Sequence, residues 1–183
     1  MQVAAKELPL AEEAARARFA ALLAAHGAGL RRVARTYAAR TDETEDLLQE
    51  IALAIWRALP AFRGECSERT FVFRVAHNRG LTFAERTKRT PRQKDDDEAT
   101  LSALIASAAP SPEEELGEAR RRQALWAAIR GLPPGARAVL TLALEGLSPA
   151  ETGEVLGISP NAAAVRLSRA KDQLRSTLSG GQS

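Results

Sequence analysis

Cys66 and His77 stand eleven residues apart, and a thiol with an imidazole is the simplest pair here that could run nucleophilic or acid–base chemistry. Such a pair needs a third group to orient the base. Neither that group nor a glycine-rich phosphate loop accompanies it. A lone cysteine in a basic loop reads first as an inert small residue, with a redox-sensing thiol as the rival. One cysteine and two histidines in the whole chain exclude an internal disulfide framework and argue against a zinc site. The chain is therefore not read as an enzyme, and no cofactor or metal is expected.

The charged residues point to different chemistry. The net charge is only +3, but it is unevenly placed. Thr41–Glu50 carries five acids (Asp42, Glu43, Glu45, Asp46 and Glu50) and no base, whereas Ala61–Lys94 carries nine bases against three acids. Asp95–Glu98 adds four consecutive acids, and Ser159–Arg175 holds four bases against one acid. Two basic segments, each preceded by an acidic one, suggest two contacts with a polyanion. Each segment alone could equally be a solvated helix face; the pairing favours nucleic acid.

The elements that position these charges are helical. Of 183 residues 37 are alanine and 8 aromatic, so strand formers are too scarce for a sandwich or barrel. The longest uncharged stretch, Ala99–Pro112, is too short and too rich in Ser and Pro to span a bilayer, so no membrane insertion is expected. The N-terminus lacks the apolar segment of a signal peptide, which fits a cytoplasmic protein.

Four helices are expected in the N-terminal part. Leu10–Ala25 and Gly29–Arg40 are split by the turn His26-Gly27-Ala28-Gly29. Thr41 caps a third, acidic in its first turn, with Leu48, Ile51, Ala52, Ile55 and Leu59 as its buried stripe and Pro60 as its stop. Ser67 caps a fourth, whose apolar face is Phe71, Val72, Val75, Ala76 and Phe83, with Gly80 inside it at a cost of roughly 1 kcal/mol. Thr90–Ser111 then breaks the pattern with Pro91, the acid run and small residues, as a linker does.

Beyond the linker a helix is expected over Glu113–Arg130 and another over Gly135–Leu144. Ser148-Pro149-Ala150-Glu151 is a capping box with proline at the first helical position. That helix ends at Leu156-Gly157-Ile158, and a second Ser-Pro pair, Ser159-Pro160, opens the last one. Two helices joined by so short a glycine turn fit a helix-turn-helix. In the last helix Ala163, Leu167, Ala170 and Leu174 form the inward stripe. Asn161, Ala162, Ala164, Val165, Arg166, Ser168, Arg169 and Lys171 are left for a DNA major groove and its phosphates. The expected fold is thus all-α: two small helical domains, 1–90 and 112–183, joined by a flexible linker, 91–111, the C-terminal one a helix-turn-helix.

Taken together, EDLLQEIALAIWRALPAFRGE (Glu45–Glu65), RTFVFRVAHN (Arg69–Asn78) and LPPGARAVLTLALEGLSPAETGEVLGISPNAAAVRLSRAKDQL (Leu132–Leu174) resemble the extracytoplasmic-function sigma factors. These are the two-domain subunits that give bacterial RNA polymerase its promoter choice. The resemblance covers roughly Phe19–Lys88 and Pro112–Leu178. It implies that 1–90 is region 2, which binds core polymerase and recognises and melts the −10 element, and that 112–183 is region 4, which reads the −35 element.

Residue by residue, the family's D-x-x-Q-E helix falls on Asp46, Gln49 and Glu50, which implies contact with the clamp helices of the polymerase largest subunit. The loop Phe62-Arg63-Gly64-Glu65 resembles the element that captures an unstacked −10 base, a step costing a few kcal/mol that pocket and phosphate contacts must offset. Phe62, Arg63, Gly64, Arg69, Arg74, Asn78 and Arg79 are the −10 candidates. Asn161, Ala164, Val165, Arg166, Ser168, Arg169 and Lys171 are the −35 candidates. The resemblance further implies that the helices before the helix-turn-helix meet the polymerase flap and that the acidic linker threads toward the RNA exit path. Core RNA polymerase and promoter DNA are the expected partners, and an anti-sigma protein is a third, since family members are commonly held by one.

The chain departs from the family in three places. Phe71 stands where tryptophan is usual, keeping an aromatic wedge without the indole donor. Ala162, Ala163 and Ala164 replace the Thr, Val and Lys of many relatives, which shifts readout toward Arg166, Arg169 and apolar contact with thymine methyls. Thr152 and Gly153 replace larger or better helix-forming residues. The competing reading is a stand-alone helix-turn-helix regulator, which would give the DLLQE helix no polymerase to meet.

Overall fold

The computed structural model describes residues 4–38, 40–89, 125, 127–129 and 131–180. The expected linker 91–111 lies outside them, as does most of the helix expected over Glu113–Arg130, of which 125 and 127–129 are helical. Among the described residues every regular element is a helix: α1 (Ala4–Tyr37), α2 (Thr41–Ala58), α3 (Glu68–Arg89), α4 (Pro134–Leu144), α5 (Pro149–Leu156) and α6 (Pro160–Gly180), with a 3₁₀ turn over Leu59–Ala61.

The expected break at His26–Gly29 does not occur. α1 runs unbroken through it. Glycine weakens a helix interior by about 1 kcal/mol relative to alanine, and tertiary contact overrides that here. Gly29 is buried because a neighbour needs the space: a Cβ there would fall on the Glu145 carboxylate and lie 2.9 Å from Phe73 Cζ. Leu22, Leu30, Val33 and Ala34 bury the inner face of α1 on either side of these glycines.

The α2 boundary differs by one residue from the expected cap. Arg40 in extended conformation is the N-cap, and its backbone N–H donates to the Glu43 carboxylate at 3.3 Å. Thr41 is already helical and exposed. The buried row is Leu47, Ile51, Ile55 and Leu59, with Leu48 only partly buried. Pro60 follows in the 3₁₀ turn that ends the helix. In α3 the Ser67 hydroxyl accepts from the Thr70 backbone N–H at 3.0 Å, as a cap does. Phe71, Val72, Ala76 and Phe83 are buried as expected, and Phe73, Thr70 and His77 are buried beside them.

In the C-terminal part both halves of the Ser148–Glu151 capping box form: the Glu151 N–H donates to Ser148 Oγ at 3.2 Å, and the Ser148 N–H donates to Glu151 Oε2 at 2.9 Å. Gly157 in left-handed conformation (φ 66°) closes α5. The turn is tight because Gly153 is bare. A Cβ on it would come within 2.6 Å of the Ile158 carbonyl oxygen. Ser159 Oγ then caps α6 by accepting from the Ala162 N–H at 3.2 Å. Leu167, Ala170 and Leu174 pack with Ile129, Leu132 and Leu140 as a small second core.

The main core crosses between the two parts. α1, α2 and α3 pack on one another, α4 and α5 on α6, and in addition α1 touches α4 and α3 touches α5. Leu142, Leu147 and Val155 belong to the same apolar cluster as Leu30, Ile51 and Phe73.

These glycines give opposite expectations for alanine. A Cβ at Gly27 meets nothing within 4 Å, so Gly27→Ala should raise stability by about 0.5–1 kcal/mol through helix propensity and unfolded-state entropy. Gly153→Ala should lower it by about 1–3 kcal/mol through overpacking. Urea midpoints at unchanged m-value measure both; equal shifts would mean that the helix-turn-helix turn does not need the missing Cβ.

Candidate nucleic-acid interface

The polymerase candidates lie on α2, but not all on one surface. Asp46 and Gln49 are exposed. Glu50 turns toward α3, where Arg86 Nη2 donates to its Oε1 at 2.6 Å and Arg79 Nε sits 3.6 Å from its Oε2. The acidic segment is thus divided: Glu45 pairs with Arg31 of α1, Asp42 with Arg40 at 3.1 Å, and Asp46 remains on the outer face. Hydrogen bonding by the Glu43 backbone N–H, then by Arg40, holds the Asp42 carboxyl below its ordinary value.

The −10 candidates lie along the loop after α2 and the first half of α3. Phe62 is half-buried rather than open: its ring stacks on Phe71 with centroids 4.4 Å apart, and the Arg18 guanidinium lies over it at 5.4 Å. The Phe71 departure therefore serves as the floor under Phe62. Arg63 and Gly64 project from this anchor and are exposed, Gly64 in the positive-φ region (81°) that lets the loop turn back. Asn78 is exposed and Arg74 half-buried. Arg69 is half-buried, with Nη2 3.5 Å from Glu151 Oε1 of α5. Arg79 is held against Glu50.

All seven −35 candidates (Asn161, Ala164, Val165, Arg166, Ser168, Arg169 and Lys171) are exposed on α6. Arg166 and Lys171, five residues apart, are separated by about 220° across the exposed side of the helix. They flank the face carrying Asn161, Val165 and Ser168, the arrangement of phosphate contacts bracketing a base-reading strip. Arg175 is taken by Asp172 at 2.6 Å, which leaves Arg166, Arg169 and Lys171 as the cations of this face.

Cys66 and His77 do not assemble a reactive centre. Cys66 is partly buried against the main core. His77 is buried and its Nδ1 is hydrogen-bonded to the Tyr37 hydroxyl; the absence of a Cβ at Gly80 lets the Tyr37 ring pack against α3. Burial pushes the Tyr37 phenol up and the His77 imidazole down from their ordinary values.

Sequence reasoning missed the residues that join the two parts. Arg32 makes a two-point pair with Glu145, with Nη2 donating to Oε2 at 2.8 Å. The Thr36 and Thr141 hydroxyls meet at 3.3 Å, and Arg137 Nη1 donates to the Thr36 carbonyl at 3.2 Å. The local signal was a single carboxylate, Glu145, closing the uncharged run Ala138–Leu144. Glu151 carried a second role that its capping motif concealed.

Residues 22–90 match the model of sigma-70 region 2, and residues 122–174 match that of sigma-70 region 4. The chain is similar to the ECF RNA polymerase sigma factor ShbA of Streptomyces griseus, 33% identical over 141 residues and covering 72% of this chain and 69% of that one. It is also similar to the RNA polymerase sigma factor CnrH of Cupriavidus metallidurans, 28% identical over 164 residues, covering 87% and 86%. Among solved structures, CnrH in complex with the cytosolic domain of CnrY has a TM-score of 0.64 at 27% identity, covering 95% of this chain and 97% of that one. The sigma factor RpoE of Bartonella quintana, in complex with the anti-sigma factor NepR, shares the fold with a TM-score of 0.65 at 18% identity, covering 90% and 96%.

The buried His77 gives a pH signature. Its folded value is below the ordinary 6.5, so below about pH 6.5 the unfolded chain binds the proton that the folded chain refuses. Stability then falls as pH drops through that window and returns as pH rises. His77→Gln should remove this part of the pH dependence, seen as a smaller difference in urea midpoint between pH 5 and pH 7.5. Identical pH dependence in the two proteins would mean that His77 is not buried neutral.

Proposed function

This chain belongs to the ECF sigma factors of RNA polymerase, and from that membership we propose how its residues divide the work of initiation. It is a transcription initiation factor; no catalytic role is assigned to any of its side chains. Residues 1–90 form the unit that binds core polymerase and opens the −10 element, 91–111 link it, and 112–183 form the unit that reads the −35 element. The observation that carries this division is the match of two separate sigma-70 regions, in order, to the two basic segments. A stand-alone regulator would leave the region 2 match without a use.

Asp46 and Gln49 meet polymerase, supported by their shared exposed face on α2. Glu50 contributes from the edge of that face while bound to Arg86. Phe62, stacked on Phe71, anchors the loop from which Arg63 and Gly64 reach an extruded base. Arg69, Arg74, Asn78 and Arg79 line the DNA backbone along α3. Arg166 and Arg169, with Asn161, Ala164, Val165, Ser168 and Lys171, address the −35 duplex. Three alanines beside these arginines leave few polar groups for base edges, so phosphate contact carries most of the affinity and binding falls steeply with salt. The site of action is cytoplasmic; no helix among the described residues is long and apolar enough to cross a membrane. A protein that holds the factor inactive is a further partner, by analogy with CnrH, which is known in complex with the cytosolic domain of CnrY.

Two experiments test this assignment. Asp46→Lys with Gln49→Ala should weaken core polymerase binding at least about tenfold, or about 1.4 kcal/mol, with helicity unchanged. If the double variant competes for core enzyme as well as the parent, α2 is not the polymerase face.

The second separates the DNA contacts on the reconstituted holoenzyme. Arg169→Ala should reduce duplex retention and recover on pre-melted templates, where less binding energy is needed to open the duplex. Arg63→Ala should retain duplex but leave promoter thymines unreactive to permanganate. Normal opening by Arg63→Ala would remove the loop from the melting step.

A further inference from the structure

Arg18 precedes the region 2 match, which begins at residue 22, yet its side chain reaches the loop after α2. Its guanidinium is committed twice. Nε donates to Glu68 Oε1 at 2.9 Å, and Nη2 lies 2.8 Å from the same oxygen. The guanidinium carbon also stands over the Phe62 ring, 5.4 Å from its centroid. Phe62 in turn stacks on the buried Phe71, with centroids 4.4 Å apart and planes 21° from parallel. Arg18, Phe62 and Phe71 thus form a column from solvent to core, and Glu68 holds its outer end.

Neighbouring contacts fix the column at both ends. Phe19, the next residue on α1, meets Trp56 of α2 edge to face at 5.3 Å, which pins the turn of α1 from which Arg18 projects. Glu68 opens α3, where the helix dipole favours a carboxylate, and Phe71 follows one turn later. Arginine suits the join because its planar group stacks on a ring while its N–H fork meets a carboxylate; a lysine ammonium offers neither plane nor fork. The ion pair is open to water, with side chains 43% and 48% exposed, so it adds little to overall stability. Its effect falls on the loop. Arg63, Gly64 and Glu65 are exposed and directly follow Phe62, so their direction depends on how that ring is held.

We propose that Arg18 is a positioning residue for the −10 loop: held by Glu68, it clasps Phe62 on Phe71, so that the residues after Phe62 meet an extruded base in one conformation. The role in base capture rests on the −10 assignment above; the clasp itself does not. A loop already ordered loses less freedom when the base enters, and that difference appears as affinity. Arg18 acts through the ring and does not itself touch the DNA.

The test uses holoenzyme reconstituted from core polymerase and the full chain, with a single-stranded −10 oligonucleotide and the promoter duplex as probes. Arg18→Ala should weaken single-strand capture about five-fold or more, with core binding and duplex retention at parental values. Glu68→Ala should act in the same direction. It removes a negative charge where Arg18→Ala removes a positive one, so a loss in both cannot come from attraction to DNA. Arg18→Lys, which keeps the charge without the planar fork, should lose capture as well, and it carries the comparison if circular dichroism shows that Arg18→Ala has unfolded. On a Phe62→Ala background Arg18→Ala should cause no further loss. Removing a phosphate contact from a single strand lowers the salt slope by about 0.7, whereas releasing the clasp leaves the slope unchanged. Parental capture by folded Arg18→Ala or by Arg18→Lys, a further loss on the Phe62→Ala background, or a reduced salt slope would each overturn the positioning role. Normal capture by Phe62→Ala and Arg63→Ala would instead show that the −10 assignment of the loop has failed, and the role of Arg18 in capture with it.

Discussion

A helix of 34 residues that keeps two glycines in its interior is the spine of this molecule. On one side α1 buries Leu22, Leu30, Val33 and Ala34 against α2 and α3. On the other, Arg32 and Thr36 reach α4. Had the chain turned at Gly27–Gly29, Arg32 and Thr36 would leave the straight ridge that meets Glu145 and Thr141, and the two halves would lose their common element. The loss of helix propensity at Gly29 is about 1 kcal/mol, small against the burial of a leucine-sized side chain at about 1.5–3 kcal/mol. Packing therefore decides the conformation.

Two kinds of force hold the halves together, and their magnitudes separate their roles. Leu142, Leu147 and Val155 are each nearly fully buried, worth at most about 1.5–3 kcal/mol apiece, though part of that burial is owed to their own half. The Arg69–Glu151 contact is long and partly exposed, which places it near the about 0–1 kcal/mol of surface pairs. Glu145 is more deeply placed and paired on both oxygens, while Arg32 remains about two-fifths exposed, so solvent screening discounts the pair. Apolar contact supplies the attraction between the halves; the arginine pairs select the register, because an unmatched buried carboxylate costs more than a matched one contributes.

The same accounting explains how a strongly charged surface avoids collapsing on itself. Two of the five acids of α2 are answered by arginines of α1 and α3, Glu45 by Arg31 and Glu50 by Arg86 and Arg79, and Asp42 is paired with Arg40. Beyond the exposed Asp42–Arg40 pair, the acidic segment leaves Asp46 with the neutral Gln49 on its outer face. On α6 the outward cations are fewer than the sequence total because Arg175 is bound to Asp172. Both proposed interfaces are narrower than the charge runs imply.

Periodicity and capping chemistry are local, so they were legible in the chain: the Ser148–Glu151 box, the Ser67 and Ser159 caps, and the stripe Ala163–Leu167–Ala170–Leu174 are all set by residues within four positions of one another. The family motifs likewise lie within contiguous strings, and the exposed face of α6 followed from the stripe opposite it. What the sequence could not reveal depends on residues far apart. Gly29 reads as a turn until Glu145 is seen occupying its missing side chain, Phe62 reads as an open ring until Phe71 and Arg18 are seen against it, and Glu151 reads as a cap alone until Arg69 arrives from another helix. A glycine, an aromatic or a carboxylate has several low-energy uses, and only the neighbour brought by tertiary packing selects one.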